Sequence, residues 1–155
     1  MGENQAELRG LKIRALRLDA LVSGREFLPD PAMVRLSPQV FAEELELFET
    51  SKEELETLKL IAIRQKRQRE EELIELEAKR DQLVKESSLA RNELNVTRPL
   101  VASGAASQVE IFRLEREVNR ATGELRQVRA GIRRSEAAVQ EATSKIETVR
   151  LEFLN

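Results

Sequence analysis

The chain has 155 residues, of which 35% are charged and only 3% are aromatic, and it contains no Cys, His, Trp or Tyr. This composition excludes a disulfide framework, thiol or imidazole catalysis and the usual Cys/His metal sites. A formal net charge of -2, from 26 basic and 28 acidic residues, gives no long-range field that favours nucleic acid or an anionic membrane. We therefore expect an elongated helical protein that is not an enzyme and binds neither a cofactor nor nucleic acid.

The first predicted helix covers about residues 3–23. Apolar residues recur in it at alternating spacings of three and four, which is typical of the buried face of an amphipathic helix. The residues of this stripe are Leu8, Leu11, Ala15, Leu18 and Val22. Gly24 ends the helix, and Pro29 and Pro31 prevent its continuation, so we expect an apolar linker over residues 24–36.

A second and much longer helix is predicted over residues 38–103. Ser37 suits the N-cap position and Pro38 the first helical position. Every seventh residue across 41–97 is apolar in seven of nine cases, whereas the companion row contains several Lys and Arg residues. Such a helix spans roughly 90 Å and is expected to pair with another helix along its apolar row. We expect it to kink near Pro99.

The third predicted helix, over residues 107–154, has the most regular pattern in the chain. Steps of seven across 111–153 meet only apolar residues, and the companion row across 114–149 is apolar except for Ser135. Two sustained rows offset by three residues are typical of a coiled-coil seam. This helix is therefore expected to pair along its whole length.

The stretch Pro99–Ser107 is free of charge and lies between the two long helices. Gly104 can adopt the left-handed conformation that closes a helix, and Ser107 with Glu110 forms an S-x-x-E capping box that starts the next one. A tip of three residues, 104–106, makes the flanking helices antiparallel.

These elements predict an all-α fold: a long antiparallel coiled-coil α-hairpin with an additional shorter N-terminal helix, three helices in a single domain over 1–155. The lengths of the two arms do not match, because the first two helices together are much longer than the third. Either the first helix folds back to form a local three-helix section, or the chain is a piece of a longer protein whose third helix continues. The apolar pattern that persists at Val149 and Phe153 favours the second alternative.

Two charged clusters and one apolar pair are candidates for binding. The basic run at residues 64–69 is followed directly by acidic residues and has no aromatic neighbour, so a solvated helix face is the better interpretation. The carboxylates at residues 70–77 are interpreted in the same way, rather than as a metal or acid/base site. Leu100 and Val101, in contrast, are apolar residues at the end of the hairpin, where neither helix has a neighbouring helix to pack against. They are candidates for docking another surface.

The segment Pro99–Asn119 resembles the hairpin tip and returning helix of the hemolysin-D-type membrane fusion proteins, the periplasmic adaptors of bacterial type I secretion systems. The resemblance implies an excised helical domain without the lipoyl, β-barrel and transmembrane parts of that family. It also implies that the first two helices lie roughly in line as one arm. Adaptors of this class carry an Arg, Leu, Ser pattern that contacts a TolC-like outer-membrane channel. Leu100 and Ser107 match the Leu and Ser, whereas Val96 stands at the Arg position and Arg98 lies two positions away.

The resemblance therefore implies a periplasmic adaptor domain for protein export, whose partner-binding residues at the tip are Leu100, Ser107, Val101, Gly104 and Arg98. The implied partners are the outer-membrane channel, an inner-membrane ABC transporter reached through the missing parts, and further copies of the chain in a hexamer or another multiple of three. The full-length protein would be anchored in the inner membrane of a Gram-negative bacterium. Two alternatives stay open: a cytoplasmic coiled-coil scaffold or tether, and a helical arm of a nucleic-acid-binding enzyme.

Overall fold

The computed structural model describes residues 2–153, and within this range the chain forms helices joined by short connections, with no strand. The helices are α1 (Gly2–Ser23), α2 (Pro31–Leu36), α3 (Pro38–Ala102) and α4 (Gln108–Glu152). The predicted all-α class, a long helical hairpin with a shorter N-terminal helix, is confirmed. The expected end of the last helix at residue 154 lies outside the described residues.

The short helix α2 was not expected inside the predicted linker, so the described residues contain four helices rather than three. The side chain of Asp30 accepts a hydrogen bond of 3.0 Å from the backbone N–H of Ala32 and caps the helix. Pro31 then occupies the first turn, where a missing N–H and a fixed φ are compatible with a helix. The proline that argues against a continuous helix is thus also the residue that starts a new one.

The buried face of α1 differs from the predicted stripe. Leu8 and Leu11 are more than half exposed, at 53% and 57%, and Ala15 is also exposed. The residues that α1 buries are Ile13, Arg17, Ala20 and Leu21. The prediction was wrong at Leu8, Leu11 and Ala15, whereas Leu18 and Val22 are half-buried, because α1 carries apolar residues on more than one side. Arg17 lies on the buried side and pairs with Glu44 of α3.

Helix α1 lies alongside the first part of α3 and runs parallel to it. Arg9 Nε donates to Ser37 Oγ at 3.3 Å, and Arg17 pairs with Glu44. The two contacts join residues that are 28 and 27 positions apart in the chain. Because this separation is nearly constant, both helices advance in the same direction. The interpretation of the first two long helices as one in-line arm is therefore wrong. A local three-helix section is therefore present, in which α1 packs against α3 and the end of α4, and residues 24–36 return the chain to the start of α3.

The chain divides into two compact units, Met1–Gln65 with Ala142–Asn155, and Lys66–Glu141. The first unit has a core to which α1, the linker, α3 and the end of α4 all contribute. Phe27 lies at its centre, with ring centroids 5.8 Å from Phe41 and 5.4 Å from Phe48. Its buried residues are Ile13, Ala20, Leu21, Phe27, Phe48, Leu55, Ala62 and Val149.

The second unit contains only α3 and α4, which pack as an antiparallel pair along a narrow aliphatic seam. One cluster in this seam contains Leu83, Leu125, Val128 and Ile132, and another contains Leu94, Ile111 and Leu114. These α4 residues belong to the two seven-residue rows that the sequence predicted. The companion row of α3 is less apolar, yet its Ser87 is buried at 7% exposure.

Candidate functional site at the hairpin tip

The turn between α3 and α4 closes α3 with a left-handed glycine. Gly104 has φ of 80° and donates its N–H to Val101 O at 3.1 Å, while Ala105 N–H reaches back to Leu100 O at 2.9 Å. This pair of bonds is a Schellman motif, which satisfies carbonyls that the end of a helix otherwise leaves unpaired. The turn is thus held by backbone hydrogen bonds and is a defined shape rather than a loose loop.

Helix α4 begins at the other side of the turn with Ser107 as its N-cap. The Oγ atom of Ser107 accepts a hydrogen bond of 3.2 Å from the N–H of Glu110, and its carbonyl accepts from Ile111 at 3.3 Å. These bonds satisfy two N–H groups of the first turn of α4. Ser107 is exposed and holds the turn, so any role in binding a partner comes in addition to this structural one.

Pro99 lies inside α3, which continues to Ala102 despite the missing N–H. A small core of Leu94, Ile111 and Leu114 lies just below the turn, and Val101 packs against it. Val101 is accordingly half-buried, whereas Leu100 is 41% exposed. Of the two apolar residues predicted at the tip, Leu100 is therefore the one available for contact.

Arg98 is engaged within the hairpin. Its Nη2 lies 3.4 Å from Glu115 Oε1 of α4, and both side chains are about half exposed, at 55% and 41%. An exposed pair of this kind contributes at most about 1 kcal/mol, so a partner could displace Glu115 at small cost. Leu100, Ser107 and Gly104 thus lie in or beside the turn, with Arg98 on the adjoining flank.

Three further apolar residues near the turn were missed by the sequence interpretation. Val96 is 69% exposed on α3, and Val109 and Phe112 are 72% and 53% exposed on the first turns of α4. Their exposure could have been predicted from the sequence, because apolar residues outside the two seam-forming rows do not face the partner helix. Together with Leu100 they place exposed apolar side chains on both helices within about two turns of the tip; this set of four is called the tip surface below.

The charged clusters singled out in the sequence form local ion pairs. Lys66 pairs with Glu70 at 3.7 Å and Arg69 with Glu72 at 3.2 Å, and these side chains are 36% to 51% exposed. Among residues 2–153, no group of Cys, His, Asp and Glu side chains is arranged to hold a metal ion. No helix in the same range combines the length and apolar character needed to cross a membrane.

The whole chain matches a known protein family. A family model described as AprE, long alpha-helical hairpin, covers residues 1–155. Neither a curated protein nor a solved structure matches the chain.

Proposed function

Since this chain belongs to the AprE-type family of long α-helical hairpins in type I secretion adaptors, we propose that its tip docks on a TolC-like outer-membrane channel. In this proposal the rest of the adaptor connects the hairpin to an inner-membrane ABC transporter, and the hairpin lies in the periplasm. The family is periplasmic-facing, and we propose that the full-length adaptor is anchored in the inner membrane.

The observation that carries the proposal is the tip surface. Val96, Leu100, Val109 and Phe112 are between 41% and 72% exposed, around a turn that backbone hydrogen bonds and an N-cap hold in one conformation. Exposed apolar side chains on a rigid support are suited to docking, because little conformational entropy is lost on binding. Helix-in-groove recognition would accommodate the ends of α3 and α4.

Side-by-side packing of several copies is the second part of the proposal. The seam between α3 and α4 in the second unit uses one face of each helix, which leaves the outer faces to contact other chains. A hexamer, or another multiple of three, would place the tips in a ring that could meet the end of a tubular channel.

A charge substitution at Leu100 tests the docking surface. We expect Leu100→Lys in the full-length adaptor to abolish export and cross-linking to the channel, because a lysine ammonium would have to be desolvated in an apolar contact. Lysine is compatible with the last turn of a helix, so helical content should stay unchanged by circular dichroism. Leu28→Lys is the matched control, since Leu28 is 78% exposed in the linker. Normal export by Leu100→Lys would contradict the tip proposal and favour a scaffold role.

Ser107 needs a variant that separates capping from binding. Ser107→Asp keeps an N-cap acceptor but adds a negative charge at the tip, whereas Ser107→Ala removes the cap and keeps the surface neutral. If Ser107 contacts the channel, Ser107→Asp should lower export with the helices intact. In either case Ser107→Ala should lower stability by about 1 kcal/mol; if the role of Ser107 is only structural, export by Ser107→Asp should be normal.

A further inference from the structure

The two sides of the seam in the second unit carry opposite charge. On α4 the seam residues include Ala121, Leu125, Val128 and Ile132, at 0%, 8%, 8% and 6% exposure. At about 100° per residue, the residue after each seam position lies on one side of the helix pair and the residue before it lies on the other. The first side is called the arginine flank below, and the second the acidic flank.

The arginine flank forms a groove along α3 and α4, with a volume of about 440 Å³. From α4, the residues that follow the seam positions line it: Thr122, Arg126, Arg129 and Arg133. From α3 come Val84, Ser88 and Arg91, together with the buried Ser87. Within the described residues, none of these four arginines forms an ion pair with a carboxylate. The groove thus carries four positive charges that the chain does not neutralise locally.

The acidic flank is centred on Arg120, which precedes the seam residue Ala121. Its guanidinium lies 2.6 Å from Glu117, 3.0 Å from Glu124 and 3.8 Å from Glu86 of α3. Three carboxylates surround this guanidinium, and within the described residues Arg113 is the only other basic residue that acts on Glu117, so negative charge exceeds positive charge in this cluster. Gln82 donates to Glu86 at 3.2 Å and extends the same flank along α3.

The two flanks lie at overlapping levels of the same helix pair. The groove is lined by residues 84–91 of α3 and 122–133 of α4, and the acidic cluster uses residue 86 of α3 and 117–124 of α4. Two copies placed side by side at the same level can therefore bring the groove of one against the acidic flank of the other. A symmetric contact of groove with groove would instead oppose eight arginines, which is electrostatically unfavourable.

We propose that the arginine-lined groove of one copy receives the acidic flank of a second copy, in a head-to-tail contact that repeats from copy to copy. Such a heterologous contact leaves one groove and one acidic flank available at each end, so it closes into a ring when the rotation between copies permits. The inference rests on the proposed side-by-side assembly and names the surfaces that form it. Complementary charge also fixes the register of neighbouring copies.

Charge swaps test the contact directly. The variant Arg126→Glu/Arg129→Glu has two acidic flanks and Glu117→Lys/Glu124→Lys has two basic ones, so each should self-associate at least about tenfold more weakly than the unmodified chain. Mixed in equal amounts, the two variants should associate again in alternating order. The measurement is sedimentation velocity of the 155-residue chain up to about 1 mM, with circular dichroism as the control for folding.

Site-specific cross-linking then tests the orientation, because the chain has no native cysteine. Val84 lines the groove and Gln82 lies on the acidic flank at nearly the same level. A bismaleimide should join Val84→Cys chains to Gln82→Cys chains in a mixture, and neither variant to itself. Efficient self-linking of Val84→Cys would indicate a symmetric contact and overturn the proposal.

Three other results would also overturn it: an unmodified chain that stays monomeric, charge-swapped variants that self-associate like the unmodified chain, or a mixture that does not associate. None of these results bears on the tip, whose test is export by Leu100→Lys. Conversely, normal export by Leu100→Lys would not contradict the head-to-tail contact. The tip proposal and the head-to-tail contact therefore fail separately.

Discussion

The two compact units of this chain bury apolar surface in different ways. In the first, α1, the linker, α3 and the end of α4 surround a core that includes aromatic rings, among them Phe27 with Phe48 at 5.4 Å and Phe41 at 5.8 Å between ring centroids. In the second, two helices meet along a seam of Leu, Ile, Val and Ala residues. A third helix permits large aromatic side chains in the core, whereas a two-helix seam accommodates smaller ones.

The number of helices that pack together in each unit determines which of its surfaces can contact other molecules. A pair of helices cannot cover its own flanks, so the second unit exposes both of them along with its tip. Those flanks carry the unpaired arginines of the groove and the acidic cluster around Arg120. The first unit uses α1 to cover part of α3, so it leaves less of that helix for other molecules.

The largest expected effect comes from core truncation in the two units. Phe48→Ala should lower the free energy of unfolding of the first unit by about 3–5 kcal/mol, since Phe48 is 7% exposed and packs against Phe27. Leu114→Ala in the second unit should cost about 2–3 kcal/mol, because a narrow seam can partly collapse around the cavity. Hydrogen exchange of backbone amides measures both. If either variant lowered the protection of amides equally in both units, the two units would not have separate cores.

The next effect concerns the ion pair that ties α1 to α3. Arg17 and Glu44 have side chains only 10% and 16% exposed. Arg17→Met keeps the apolar stem but leaves Glu44 unpaired in a largely buried place, and should cost about 1–3 kcal/mol. The double variant Arg17→Met/Glu44→Leu should recover most of this loss. Urea unfolding of the single and double variants gives the coupling, and no loss in Arg17→Met would show that α1 is held by apolar contacts alone.

A matched pair of glycine variants sharpens the account of the tip. Gly104→Ala forces an L-residue into φ of 80° and should destabilise the turn by about 1–2 kcal/mol. Gly123→Ala lies inside α4, where an added Cβ meets no atom within 4 Å, and should stabilise it by about 0.5–1 kcal/mol. Thermal unfolding followed by circular dichroism should therefore give shifts of opposite sign. A neutral Gly104→Ala would mean that the turn is not held in the left-handed conformation.

The smallest effect is the pH dependence of the acidic flank. A hydrogen bond from Arg120 holds the pKa of Glu117 below its ordinary value. A carboxyl whose pKa is lower in the folded state contributes stability above the unfolded pKa, and this contribution is lost as the pH falls through the folded pKa. The difference in melting temperature between the unmodified chain and Glu117→Gln should thus be largest near neutral pH and shrink under acid. A difference that grows as the pH falls would contradict this assignment.

The sequence was informative where one physical rule dominated. The two apolar rows of α4 and the left-handed Gly104 with the Ser107 cap were predictable, because a seven-residue period and a glycine turn have few alternative interpretations. The buried face of α1 was not predictable, since several apolar faces compete and only the packed structure shows that Ile13, Ala20 and Leu21 are buried together with the ion-paired Arg17. Helix α2 was missed because a proline both ends and starts helices.

The candidate sites were predictable only in part, for a related reason. Leu100 was identified by its place in the turn, whereas the exposure of Val96, Val109 and Phe112 depends on how α3 and α4 are rotated about their axes. The arginine groove depends on the pairing of two segments that are more than thirty positions apart in the chain. Local periodicity places residues on a helix face; only the packed pair shows which faces meet.

Photo-cross-linking from the tip tests the central claim most directly. A photoreactive residue is placed at position 100 of the full-length adaptor, and at position 28 as a control that is also exposed in the chain. The account predicts that illumination of secreting cells joins position 100, and not position 28, to a TolC-like outer-membrane channel. Cross-linking to the channel from position 28 alone, or equal yields from both positions, would contradict it.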